Sequence, residues 1–214
     1  MPLIIIAAAA ALAYLVLYAG RPEGQHPIMA SVVKTLSTTA LAVYGALNGA
    51  PGMIVLGLAL GAAGDFALSR PGTTAFLAGM AAFAMGHLAY AAQFWTWGTP
   101  GIAGWHWAAL GALALLVAST EVWLAPHTAA LRWPVRAYGG VIGAMAATAL
   151  LLAPAAGMGL TALGVGLFVA SDVLLAVQIF VVKAFDARRI LAWLLWPAYW
   201  LGQALILAGA AIHG

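Results

Sequence analysis

The sequence predicts an all-α, polytopic membrane protein of eight transmembrane helices, forming a single transmembrane domain over residues 1–214. Three observations predict it. Hydrophobic residues make up 65% of the chain and charged residues only 6%, where a soluble domain carries about 25% charged residues. Apolar stretches of about 20 residues, the length that crosses a bilayer, recur along the whole chain. Short breaks rich in Gly, Pro and charge separate them. Punctuated in this way, the helices run near 3–19, 28–48, 52–69, 73–95, 105–124, 132–152, 157–181 and 189–211.

Each stretch has its own features. The first lacks a basic region ahead of its apolar run, and Arg21 follows that run instead. It is long enough to span, so it reads as a retained helix rather than a signal peptide. The second places Ser31, Lys34 and Thr38 on one helical face. The third carries Asp65 within Gly61-Ala62-Ala63-Gly64-Asp65-Phe66-Ala67-Leu68-Ser69, and the fourth sets His87 and Tyr90 three residues apart. Trp95, Trp97, Trp105 and Trp107, where the fourth stretch gives way to the fifth, read as an aromatic belt at the outer interface. The sixth brings in Tyr138 just after Arg136. The seventh carries Ser171 and Asp172, with Gln178 seven residues beyond Ser171. The eighth sets Tyr199 and Gln203 four apart, and its Trp193, Trp196 and Trp200 read as packing or lipid-facing side chains.

Orientation follows from the basic residues. Arg21, Arg70, Arg132, Arg136, Lys183, Arg188 and Arg189 fall at or beside alternate breaks, and only Lys34 lies well inside a stretch. The positive-inside rule makes that side cytoplasmic and both termini external, in a cell (inner) membrane. The breaks are short, so neighbours in sequence should pack antiparallel. Asp65 and Asp172 stand 107 positions apart, half the chain length, in Gly64-Asp65-x-x-Leu68 and Ser171-Asp172-x-x-Leu175. Gly86-His87-Leu88-Ala89 and Gly202-Gln203-Ala204-Leu205 echo one another in the next helix along. The pattern suggests two four-helix repeats in the same orientation.

Function classes narrow quickly. The absence of cysteine excludes thiolate catalysis, disulfides and Cys-ligated metal. A net charge of +3, scattered along the chain, points to no nucleic-acid partner. No HExxH or GxSxG motif occurs, and neither a metal nor a cofactor is expected.

The informative residues are the two acids. An ionised aspartate at the centre of a bilayer helix costs about 2.5–3.5 kcal/mol on insertion scales. Asp65 and Asp172 therefore need a role, either structural, bonded to hydroxyls and backbone, or chemical, as an intramembrane acid/base pair. Counted from the cytoplasmic helix ends, Lys34, Asp65, His87, Asp172, Tyr199 and Gln203 all fit one cleft in that half of the bundle. Lys34 either snorkels to the interface or serves the acids. One cation beside one of two buried acids leaves that acid as the charged acceptor and the other as the proton carrier. Such a pair suits acid-catalysed hydrolysis. A proton-coupled transporter is the rival, since intramembrane Asp, His and Lys also mark ion pathways. A non-catalytic lipid-binding scaffold is a third reading, and it would tolerate Asp→Asn at both sites.

At these residues the chain resembles the lysoplasmalogenase family of YhhN-like membrane proteins, from the second helix onward. The matching pieces are Lys34-Thr35-Leu36-Ser37-Thr38-Thr39, Gly64-Asp65-Phe66-Ala67-Leu68 and Gly86-His87-Leu88-Ala89-Tyr90. Pro134-Val135-Arg136-Ala137-Tyr138, Ser171-Asp172-Val173-Leu174-Leu175 and Tyr199-Trp200-Leu201-Gly202-Gln203 continue the match. The family often has Lys-Pro where this chain has Lys34-Thr35, which loosens a kink. The resemblance implies hydrolysis of the vinyl ether bond of a lysoplasmalogen, a lysophospholipid drawn from the bilayer, to a fatty aldehyde and a glycerophospho-alcohol. It implies acid/base roles for Asp65 and Asp172. Lys34 would tune their charge or meet the substrate phosphate. His87, Tyr90, Tyr138, Tyr199 and Gln203 would orient water and head group, and Ser171 would bond its neighbour's carboxylate.

Overall fold

A computed structural model describes residues 2–20, 27–98 and 101–213. Most of the first predicted break, with Arg21, and the Thr99-Pro100 part of the fourth lie outside the described residues. Among those described, the chain forms eight α-helices and no strand. They are α1 (Pro2–Leu17), α2 (Ile28–Leu47), α3 (Gly52–Leu68), α4 (Thr73–Thr96), α5 (Gly104–Trp123), α6 (Arg132–Leu150), α7 (Met158–Ala176) and α8 (Phe185–His213). Two 3-10 turns, Ala125–His127 and Ala129–Leu131, join α5 to α6, and α7 runs into a π-helical turn at Val177–Val181.

Each helix coincides with one predicted stretch, because Pro and Gly end them where expected. Pro27 and Pro51 immediately precede α2 and α3, as a residue that lacks an N–H can do at no cost. Gly72 and Gly157, at φ 99° and 83°, turn the chain into α4 and α7 in a conformation only glycine adopts readily. The clearest boundary difference is at α8, which begins at Phe185 rather than near 189. The charges of that segment read as loop, yet Asp186 lies in the first turn, where a carboxylate favours the helix end. Five helices, α2, α4, α5, α7 and α8, are long and apolar enough to cross a membrane. α1 and α3 are apolar but shorter, at 16 and 17 residues.

The helices pack as a closed ring. α1 to α4 pack on one another in sequence, α4 then packs against α6, α6 against α7 and α7 against α8, and α8 returns to α1, α2 and α3. The expectation that all sequence neighbours pack together fails at α5. That helix rests on α6 alone among the helices it packs with substantially, and His106 is its only buried residue. Its apolar side chains point outward and to a chamber beneath it, described below. The closest seam is between α7 and α8. A Cβ added to Gly164 would lie 2.7 Å from the Gly202 carbonyl oxygen, and one on Gly202 would lie 2.9 Å from that of Gly164. Small residues let helices approach this far in lipid, where apolar contact with a neighbour gains nothing over contact with acyl chains.

Candidate active site

The middle of the ring is polar. Lys34, Asp65, His87, Ser171 and Gln203 are all at most 3% exposed, and they come from five helices. Burial of this kind demands partners, and the partners sort into two networks, one around each acid.

Around Asp65, hydrogen bonds run inward. Thr38 and Tyr199 each donate to Oδ2 at 2.8 Å, and the Lys34 ammonium stands 3.8 Å from Oδ1. Gln203 Nε2 donates to the Tyr199 hydroxyl at 3.3 Å, and Tyr90 donates to Gln203 Oε1. Tyr90, Gln203, Tyr199 and Asp65 therefore form one directed chain ending on the carboxylate. It fixes the Gln203 amide, whose oxygen must face a donor and whose nitrogen an acceptor. Lys34 is also flanked by the rings of Tyr14 and Trp196, at 5.7 and 5.8 Å from their centroids, a favourable setting for a buried ammonium. The snorkelling alternative for Lys34 is thereby set aside, since its side chain is buried beside an acid. Trp196 is likewise a buried packing residue, and its indole donates to the Ala11 carbonyl at 3.0 Å.

α3 makes room for this network with glycine. A Cβ on Gly57 would stand 2.4 Å from the Tyr90 ring, on Gly61 2.6 Å from Gln203 Nε2, and on Gly64 2.6 Å from the Phe83 ring. One face of the helix that carries Asp65 is thus a groove into which side chains of α4 and α8 fit.

Around Asp172 the partners are His87 and Tyr138. His87 Nε2 lies 3.1 Å from Oδ2, and Tyr138 donates to Oδ1 at 3.2 Å. His87 Nδ1 lies 2.5 Å from the Phe83 carbonyl oxygen. A carbonyl only accepts, so Nδ1 carries a hydrogen. For Nε2 and Oδ2 then to bond, one further proton must lie between them, either on the imidazole or on the carboxyl. With Nδ1 facing the Phe83 carbonyl, the His87–Asp172 contact is a hydrogen bond only when one proton lies between the two groups.

A small cavity joins the two networks, with Lys34, Asp65, Ser171, Asp172 and Tyr199 on its wall beside Leu68, Phe83, Phe168, Leu175 and Leu195. The structure thus gathers Lys34, Asp65, His87, Tyr90, Tyr138, Asp172, Tyr199 and Gln203 into two linked networks. Ser171 lines the cavity, but its hydroxyl donates to the Phe168 carbonyl of its own helix at 2.7 Å and not to the neighbouring carboxylate. That bond one turn back is the usual one for a buried helical serine. Gln178 lies apart from the site, where its side chain donates to the Arg188 carbonyl. Two partners are given no role by the sequence reading. Thr38 shares a face with Lys34 and was legible by spacing, whereas the Phe83 carbonyl acts through its backbone and leaves no residue signal.

Among the described residues no three His, Cys, Asp or Glu side chains gather as a metal-holding group. A sequence model of the YhhN family matches residues 29–210, a range that takes in every side chain of both networks. No match is found among curated proteins or solved structures.

Proposed function

The chain belongs to the YhhN family, and we propose that it is an intramembrane hydrolase that cleaves the vinyl ether bond of lysoplasmalogens. Products are a fatty aldehyde and glycerophosphoethanolamine or glycerophosphocholine. The observation that carries this reading is a single cavity with two differently partnered carboxylates on its wall. Asp65 faces a cation and two hydroxyl donors, and Asp172 stands 3.1 Å from His87 Nε2. Acid and base are thus separated by environment.

In this mechanism the Asp172–His87 pair delivers its proton to the β-carbon of the vinyl ether. The double bond becomes an oxocarbenium ion beside the carboxylate just formed, which stabilises the developing positive charge. Asp65 takes a proton from water as the water oxygen bonds to the cationic carbon. In the resulting hemiacetal the bond to the glycerol oxygen breaks. That oxygen receives the proton held by Asp65, and the hemiacetal hydroxyl returns its own to Asp172. One water is consumed, and both acids end as they began. Tyr90, Gln203 and Tyr199 orient Asp65, and Tyr138 orients Asp172. Lys34 serves Asp65 in this scheme rather than the substrate phosphate.

We read all eight helices as crossing a cell (inner) membrane, with basic loops cytoplasmic and both termini outside, as two four-helix repeats. Support comes from the two acids standing on α3 and α7, each packed on the following helix.

The test is aldehyde release from a lysoplasmalogen by purified protein in detergent. Detergent abolishes any gradient, so turnover separates a hydrolase from the proton-coupled carrier that the same residues would suit. Release by the wild-type protein is expected. A folded, monodisperse protein that releases none would leave the fold standing and remove the substrate assignment.

A further inference from the structure

A second and larger cavity, partly open to the outside, lies beneath α5 between α4, α6 and α7. Only four of its wall side chains carry polar atoms: Thr120, Trp123, Tyr138 and Asp172. All four are already engaged, Asp172 with His87 and Tyr138. Thr120 donates to the Val117 carbonyl at 2.7 Å, Trp123 to the Ser119 hydroxyl at 3.2 Å, and Tyr138 to Asp172. A polar occupant would lose its hydrogen bonds to water and find almost none here, whereas hydrocarbon loses nothing. α5, the roof, is the least covered of the long apolar helices, so bilayer chains lie directly outside.

The chamber also adjoins the candidate active site across a shared wall. Leu68, Phe83, Asp172 and Leu175 line both cavities. A chain lying in the chamber therefore places its junction with a polar head at Asp172, and the head on the side of Lys34 and Asp65. The floor is shaped by two glycines of α6. A Cβ added to Gly139 meets nothing within 4 Å, and one on Gly143 meets only Val117 Cγ2, at 3.3 Å. Both positions face open chamber.

We propose that this chamber is the binding site for one aliphatic chain of a membrane lipid, and that Gly139 and Gly143 determine how long and bulky a chain it takes. The site rests on the hydrolase reading only for the identity of the bond brought to Asp172. A slot of this kind under a single helix selects lipids with one chain over those with two.

The probe is a lysophospholipid with a saturated ether chain bearing a diazirine near its end, which no vinyl ether hydrolase cleaves. Irradiated with purified protein in detergent, it should label the chamber walls at Val117, Ile142 and Val173. Gly139→Phe should abolish that labelling while the melting temperature stays near wild type, because the new ring enters open space. Val117→Phe narrows the same chamber from the lipid-facing α5, so the test survives a folding failure of the first variant. Labelling spread over outer helix faces, or unchanged in a folded Gly139→Phe or Val117→Phe protein, would overturn the proposal. Neither outcome depends on turnover. If the wild type does release aldehyde, Gly139→Phe should shift its preference towards shorter chains.

Discussion

In the proposed mechanism His87 depends on a backbone carbonyl. With the Phe83 carbonyl claiming Nδ1, a hydrogen bond between the other ring nitrogen and Asp172 needs a proton held between them. Asp172→Asn keeps the volume and removes the transferable proton, so aldehyde release should fall by about 10²–10⁴-fold, the usual loss with a general acid or base. Asp65→Asn should fall as far, and activity surviving in either variant would remove that acid from the mechanism. Lys34 separates structure from chemistry. Lys34→Met strands a buried carboxylate, a change that costs about 3–5 kcal/mol when a buried pair is broken, and the protein should melt earlier in detergent. Adding Asp65→Asn should recover most of that stability and none of the activity. A double variant no more stable than Lys34→Met would show that the pair is not what holds this region. Most of this site was legible in the sequence, because a charge in an apolar run is conspicuous. The pairing was not, since spacing cannot say which acid a lysine on another helix meets.

At the scale of elements, α3 combines two properties: it carries Asp65 and it presents a groove of glycines to its neighbours. Gly61→Ala would put a methyl group 2.6 Å from Gln203 Nε2 and push apart the chain from Tyr90 through Gln203 to Tyr199. Turnover should drop although no catalytic group has changed, measured as a fall in kcat at a folded protein's melting temperature near wild type. At the α7–α8 seam the same kind of change acts on stability. Gly202→Leu meets backbone at 2.9 Å and should cost at least the 1–3 kcal/mol or so typical of overpacking. Gly166→Leu, where an added Cβ meets nothing within 4 Å, should cost little. Equal melting temperatures for these two variants would contradict the close approach. Element existence was readable from Gly, Pro and apolar length, but element pairing was less so. Short loops favour adjacent packing, yet α4 leaves α5 for α6, because α5 is apolar on all sides and finds lipid as good a neighbour as protein.

The whole molecule is asymmetric in charge as well as in packing. Arg70, Arg132, Arg136, Lys183, Arg188 and Arg189 cluster at the ends of α3, α6 and α8 or the turns beside them. Glu121 at the close of α5 lies among them, bonded to Arg136 with Arg132 at 3.7 Å, and Asp186 opens α8 at the same end. At the other end Trp95, Trp105 and Trp107 stand exposed, with no Lys or Arg beside them in sequence. A membrane reads that contrast as orientation: basic loops are held on the cytoplasmic side and aromatic rings settle at an interface. The consequence can be measured directly, because the chain has no cysteine and any cysteine introduced is a unique label. Ala184→Cys lies between α7 and α8 and Ala155→Cys between α6 and α7, both at exposed positions. With a membrane-impermeant maleimide on intact cells, Ala155→Cys should label and Ala184→Cys should not, and opening the membrane should bring Ala184→Cys to the same level. The reverse pattern would invert the protein and put the site in the opposite leaflet. Labelling of both from outside would mean that an odd number of crossings between them is wrong, and with it the reading of α7 as a full span. The outcome bears on chemistry, since it decides which leaflet presents its lipid to the chamber beneath α5.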